Sequence, residues 1–225
     1  MNGVLAKATW PEAEGAGLVL VPVGSLEQHG PHLPLDTDTV IAEAVTRGVA
    51  ERLMGAWVAP ALSYGASGEH QSFPGTISVG TEVLHQVVVE LVRSLRTWAT
   101  RVVFVNAHGG NVRALSSAID QLVEEGHVVA WVPCAPEEHD LHAGFTETSL
   151  MLHLRPETVR VDRAAAGCTA PLAEILESMI NNGVGAVSPN GVLGDPAGAT
   201  AEEGRWLLNN LIDDVSDRLA VVGAR

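Results

Sequence analysis

The chain has little cysteine and little positive charge. Its two cysteines, Cys134 and Cys168, show no Cys-x-x-Cys spacing. A reduced, cytoplasmic protein is therefore expected. Only 13 lysines and arginines stand against 27 acids, a net charge of −14. Nucleic acids and anionic membranes reward basic patches, so neither is expected as a partner. No span of about 20 apolar residues is present. Residues 1–11 lack the basic-then-apolar order of a secretory signal. Two catalytic signatures are missing as well. Gly109-Gly110 is not followed by the lysine of a phosphate loop, and no Gly-x-Ser-x-Gly elbow occurs.

What is there suffices for a large core: 46% of 225 residues are hydrophobic. One domain spanning residues 1–225 is expected. Apolar runs at residues 18–23, 57–62, 101–105 and 127–132 read as strands. Helical spacing follows at residues 40–54, 81–100, 112–125, 148–154 and 200–222, with Thr81 expected as a cap. Residues 1–16 read as a ragged lead-in. Residues 157–199 resist assignment, apart from a turn at Gly191-Val192-Leu193-Gly194-Asp195-Pro196. The alternation predicts an α/β fold: a three-layer α/β/α sandwich around a mostly parallel sheet.

The chemistry-bearing residues follow the strands. Gly24-Ser25-Leu26-Glu27-Gln28-His29-Gly30-Pro31-His32-Leu33-Pro34 leaves the first strand, and Asp38 comes where a helix should begin. Glu27 and His29 are two residues apart, so an extended segment points both the same way. His108 lies in Asn106-Ala107-His108-Gly109-Gly110-Asn111, after the third strand. His142 and Glu147 follow the fourth. In a parallel sheet such loops gather along one edge. Pooled, Glu27, His29, Asp38, His108 and Glu147 could hold two divalent ions if Asp38 bridges them. Mixed oxygen and imidazole donors suit Zn²⁺, Mn²⁺ or Fe²⁺. Two such ions activate water and polarise an amide oxygen, which leaves His142 to protonate the departing nitrogen. A glycine-rich loop, residues 63–76, is long enough to be functional. It offers Tyr64, Glu69 and His70 as candidate substrate contacts, and pocket size around Tyr64, Glu69 and Phe145 is expected to discriminate between substrates.

These residues make the sequence resemble the creatininase (creatinine amidohydrolase) family. The match is carried by Gly24 to Pro34 with Thr37-Asp38-Thr39, by Asn106 to Asn111, and by His142-Ala143-Gly144 with Glu147-Thr148-Ser149. It extends over nearly the whole chain. The resemblance implies one ion held by Glu27, Asp38 and His108, and a second by His29, Asp38 and a further carboxylate. In creatininase that carboxylate lies two residues after the histidine matching His108. Here the position is Gly110, and Glu147 is the expected replacement. The resemblance also implies an acid/base role for His142 and assembly into homo-oligomers.

Within the family, the sequence is most similar to the branch encoded with mycofactocin biosynthesis. Residues 64–71 and 191–196, followed by Ala199-Thr200-Ala201-Glu202-Glu203-Gly204, carry that similarity. It implies a peptidase that releases a cross-linked C-terminal Val-Tyr dipeptide from a modified precursor peptide. The alternatives are hydrolysis of a small cyclic amide or formamide, and a metal-binding scaffold without chemistry.

Overall fold

A computed structural model describes residues 3–135 and 140–222. Five parallel strands form one sheet: β1 (Gly3–Val4), β2 (Leu18–Val23), β3 (Ala56–Val58), β4 (Arg101–Asn106) and β5 (Val129–Pro133). Their order is β1-β3-β2-β4-β5. The helices are α1 (Trp10–Ala13), α2 (Thr37–Arg52), α3 (Thr81–Leu95), α4 (Val112–Glu124), α5 (Phe145–Leu154), α6 (Leu172–Asn182), α7 (Val184–Val187) and α8 (Ala201–Val222).

Successive strand residues point to opposite faces, and the chain fills both. Val19, Val21, Val23, Val102 and Phe104 pack against α3 and α4 through Leu84, Val88, Val92, Leu115 and Leu122. Leu20, Val103, Val105 and Val132 pack on the other side against Ile41, Val45 and Val49 of α2 and Leu211 and Val215 of α8. Two buried faces require apolar residues at every position, which is why β2 and β4 read as continuous runs. The expected three-layer sandwich is present.

The strand order positions the site. The chain leaves β2 toward α2 on one face and leaves β4 toward α4 on the other. β2 and β4 are neighbours, so their loops part and open a crevice at the strand ends. Open α/β sheets bind ligands at such a switch point.

Several boundaries differ from the sequence reading. The lead-in contributes β1, paired Gly3 to Trp57 and Val4 to Val58. The strand expected at residues 57–62 is only Ala56–Val58, because Pro60 has no N–H for the ladder. Gly80, not Thr81, is the N-cap of α3; Thr81 is already helical. The helix expected from residue 148 starts at Phe145, so Glu147 lies inside its first turn. Thr200 does cap the last helix: its hydroxyl accepts the Glu203 N–H at 3.1 Å. The unassigned stretch contains α6 and α7. Cys134 and Cys168 are free thiols.

Candidate metal centre

The loop after β2 is pinned by three hydrogen bonds, one within the loop and two to residues 76–77. Glu27 N–H donates to Leu35 O at 3.0 Å, and Ile77 N–H donates to Leu26 O at 2.9 Å. Gln28 N–H donates to the Thr76 hydroxyl at 3.1 Å. The Phe-Pro-Gly-Thr end of the long loop is therefore a brace for the first motif. Gly24 permits its close packing, since a Cβ there would lie 2.4 Å from Thr39 N.

Asp38 stands in the first turn of α2, at the centre of the cluster. Its Oδ1 is 3.0 Å from His29 Nε2. Its Oδ2 accepts from the Ser25 hydroxyl at 2.8 Å and lies 3.3 Å from His108 Nδ1. One carboxylate thus addresses two histidines through different oxygens. Glu27 Oε1 lies 3.2 Å from His108 Nδ1, yet neither Glu27 oxygen has a hydrogen-bond partner. Glu27 is 0% exposed. Burying a carboxylate without hydrogen bonds is costly unless a cation compensates it. Glu27, Asp38 and His108 present donor atoms within 4.8 Å of one another, and so do His29, Asp38 and Glu147. The residues fit divalent ions.

Both histidines are aimed by main-chain acceptors. His29 Nδ1–H donates to Glu27 O at 3.1 Å, leaving Nε2 for the cluster. His108 Nε2–H donates to Ala66 O at 3.2 Å, leaving Nδ1. A second partner that fixes the ring and its tautomer is the usual arrangement for a ligating imidazole.

The absence of a carboxylate at Gly110 has a steric cause. A Cβ there would lie 2.2 Å from Ala66 O, 2.4 Å from His108 Nε2 and 2.6 Å from Glu69 Oε1. Glu147 enters from the first turn of α5, with Oε2 3.8 Å from His29 Nε2. That oxygen also accepts the Ala143 N–H at 2.6 Å. Ala143 holds φ at +53°, a left-handed conformation costing on the order of 1–3 kcal/mol for a residue with a Cβ. The strained turn places His142 and Glu147 on the same cavity.

Charges in the cluster move the titrations far from their ordinary values. Burial is the largest influence on Glu27 and pushes it up, but His108 and His70 together outweigh it and hold the carboxyl at about 2. Burial likewise opposes ionisation of Asp38, and His29 and His108 together reverse that, keeping it well below the carboxylate range. His29 is disfavoured as a cation by burial, yet Asp38 holds it up at about 10. Burial lowers His108, but Glu27 and Asp38 raise it well above the usual imidazole value. Burial raises Glu147 to about 7, partly offset by His29. Burial lowers His70 to about 4 and, with the His29 charge, drives His142 well down.

A pH dependence follows. In chelator-stripped protein, His29 and His108 are protonated at neutral pH, so a metal must displace both protons. Raising the pH removes those protons in advance and strengthens binding; lowering it weakens binding. Apparent affinity should change at least about 100-fold per pH unit near neutrality, tenfold for each displaced imidazole proton, and more steeply below pH 7, where the Glu147 carboxyl is protonated as well. Calorimetry in buffers of different ionisation heat should count about two to three released protons, the third from Glu147. An affinity flat from pH 6 to 8 would contradict the arrangement.

A cavity of about 1150 Å³ opens over the cluster. Glu27, Asp38, Glu69, His70, His108, His142 and Glu147 line its floor, and Leu172, Leu176, Met179 and Ile180 of α6 line one wall. Of the candidate substrate contacts, Glu69 and His70 are therefore on the cavity. Tyr64 and Phe145 are not among its lining residues, and Tyr64 is 53% exposed. Asn111 escaped the sequence reading. Its side chain donates to Gly24 O at 2.9 Å and accepts the Ala66 N–H at 2.9 Å, tying three site loops together. Its only signal was its place at the end of the His108 motif.

Buried carboxylates and imidazoles converging at the strand ends of a parallel sheet define a class, the α/β metallohydrolases. The model of the family described as creatinine amidohydrolase matches residues 6–219. The mycofactocin precursor peptide peptidase of Mycobacterium ulcerans (strain Agy99) is 54% identical over 221 residues, covering 95% of this chain and 86% of that protein. Two solved structures share the fold, each covering 96% of both chains. One, titled creatininase Mn, has a TM-score of 0.80 at 29% identity. The other, a mutant creatininase titled "Zn-Zn type", has a TM-score of 0.79 at 28%. The chain belongs to the creatininase family, and it is a hydrolase acting on amide bonds.

Proposed function

We propose that this chain is a metal-dependent peptidase that cleaves a modified mycofactocin precursor peptide and releases its C-terminal Val-Tyr dipeptide. The 54% identity to the Mycobacterium ulcerans peptidase supports the substrate. The observation that carries the reading is the cavity. At about 1150 Å³ it exceeds the roughly 300–1,000 Å³ typical of small-molecule sites. Its α6 wall is apolar, with Leu172, Leu176 and Ile180 all exposed. A peptide with apolar side chains fits such a space; a small cyclic amide would leave most of it to water.

Zn²⁺, Mn²⁺ or Fe²⁺, two ions to a chain, suits the donors; bound there, they would acidify a water and polarise the amide oxygen. Glu27, Asp38 and His108 form one ligand group, and His29, Asp38 and Glu147 the other. His142 would take a proton from the attacking water and hand it on to the departing amine. Its depressed pKa makes it a ready donor once protonated. Glu69 and His70 meet the peptide near the scissile bond. Homo-oligomeric assembly and a cytoplasmic location belong to the same proposal. Among the described residues, no helix is long and apolar enough to cross a membrane.

A substrate panel tests the reading. Modified precursor peptide, creatinine and simple formamides are each incubated with metal-loaded protein and followed by mass spectrometry. The expected product is the modified dipeptide, with no turnover of the small amides. Turnover of a small amide with the peptide left intact would move the function to amidohydrolysis of small molecules.

A further inference from the structure

Gln28 sits between two metal-ligand candidates in sequence, yet its side chain points away from the cluster. Its Oε1 accepts the Gly30 N–H at 2.8 Å, which fixes the amide's orientation. Nε2 then has two hydrogens to give. One goes to Gly191 O at 3.0 Å and the other to His70 Nδ1 at 2.8 Å. His70 Nδ1 must therefore be the acceptor, and its hydrogen lies on Nε2, 3.4 Å from Glu27 Oε1.

The same residue fixes the second ring. His142 Nε2 lies 2.7 Å from the main-chain oxygen of Gln28, an acceptor only, so that nitrogen carries the hydrogen. The 3.1 Å approach of Gln28 Nε2 to His142 Nε2 is then a contact between two donors, with both Gln28 hydrogens already placed. The lone pair of His142 is left on Nδ1, 3.8 Å from Glu27 Oε1 and facing the cluster.

The segment around Gly191, a turn in the sequence with no assigned purpose, supplies the seat. Gly191 has φ of +81°, and a Cβ on it would lie 1.9 Å from Gln28 Oε1. Two residues on, Leu193 pairs with His142: Leu193 N–H donates to His142 O at 2.8 Å, and His142 N–H donates to Leu193 O at 3.1 Å. One short segment therefore grips both Gln28 and the His142 backbone.

We propose that Gln28, seated by Gly191, is a positioning residue that sets the tautomers of His70 and His142, so that His142 exchanges its proton through Nδ1. His70, held with Nε2–H toward Glu27, keeps that carboxylate turned to the metal cluster. A donor amide at position 28 is required; a carboxylate of the same shape has no hydrogen to give to His70 or to Gly191.

The test reads ring nitrogens directly. Long-range ¹H–¹⁵N correlation spectra of zinc-loaded, ¹⁵N-labelled protein report which nitrogen carries hydrogen, and His70→Asn and His142→Asn assign the signals. Both rings should carry hydrogen on Nε2. In Gln28→Glu, His70 should shift its hydrogen to Nδ1 while the His29 signals stay. kcat on the modified precursor should fall roughly 10–100-fold, the usual cost of losing an outer-shell partner, with KM nearly constant. Hydrogen on Nδ1 of either ring in the unaltered protein would overturn the proposal, whether or not the variant folds. So would an unchanged His70 tautomer in a folded Gln28→Glu. The kinetic arm rests on the peptidase reading. The spectra need no substrate, so failure of that reading and failure of this one are told apart.

Discussion

Replacing Asp38 with alanine should abolish cleavage and lower the affinity for both ions together. Asp38 is shared by the two proposed ligand groups, with Oδ1 3.0 Å from His29 Nε2 and Oδ2 3.3 Å from His108 Nδ1. Losing it removes a ligand from each group of three. It also removes the negative charge opposite two buried imidazoles. The expected fall in kcat is at least about 1,000-fold, the upper range for deleting one electrostatic stabiliser, since here two ions are loosened. Metal content by mass spectrometry and peptide cleavage should fall in parallel. Circular dichroism should remain that of the folded chain, because the strand cores do not depend on Asp38. Cleavage within tenfold of the unaltered protein would contradict the bridging role.

The second large effect is at His142, and it separates two possible jobs. Glu27, His29 and His142 also form a group that could hold an ion. A ligand and a proton carrier predict different outcomes for His142→Ala. As a proton carrier, its loss should lower kcat by about 10²–10⁴, the span of general acid–base contributions, and leave metal content unchanged. The geometry favours this outcome, because Asp38, Glu27 and Glu147 already supply the two groups without it. KM should change little. Loss of an ion with the activity would make His142 a ligand instead.

Much of the cluster was legible because its residues carry chemistry by type. Glu27, His29, Asp38, His108 and Glu147 each follow an apolar run, and a parallel sheet brings such loops to one edge. Glu147 in place of a carboxylate at Gly110 was readable only as a resemblance. Its physical reason, the space already filled by Ala66, His108 and Glu69, exists only in three dimensions. Gln28, Ser25 and Asn111 carry no such signal. An amide or hydroxyl gains meaning from its partners, and those partners lie 163 residues away for Gln28 and Gly191. The two-residue strand Gly3–Val4 was beyond reach for another reason: it pairs only because Trp57 and Val58 present an edge to it. Of the three contacts expected from the long loop, His70 and Glu69 line the cavity, while Tyr64 is exposed outside its lining. Residues 157–199 mix short helices with 3₁₀ turns, but α6 does carry a helical period, with Leu172, Ile175, Leu176, Met179 and Ile180 on one side, that was readable and passed over.

The most direct test of the account is a metal titration read as cleavage. The protein is stripped with a chelator, given zinc or manganese in measured steps, and assayed on the modified precursor peptide by mass spectrometry. Stripped protein should give no dipeptide, and restoring two ions per chain should give full release. Full release from protein shown to be free of metal would contradict the account.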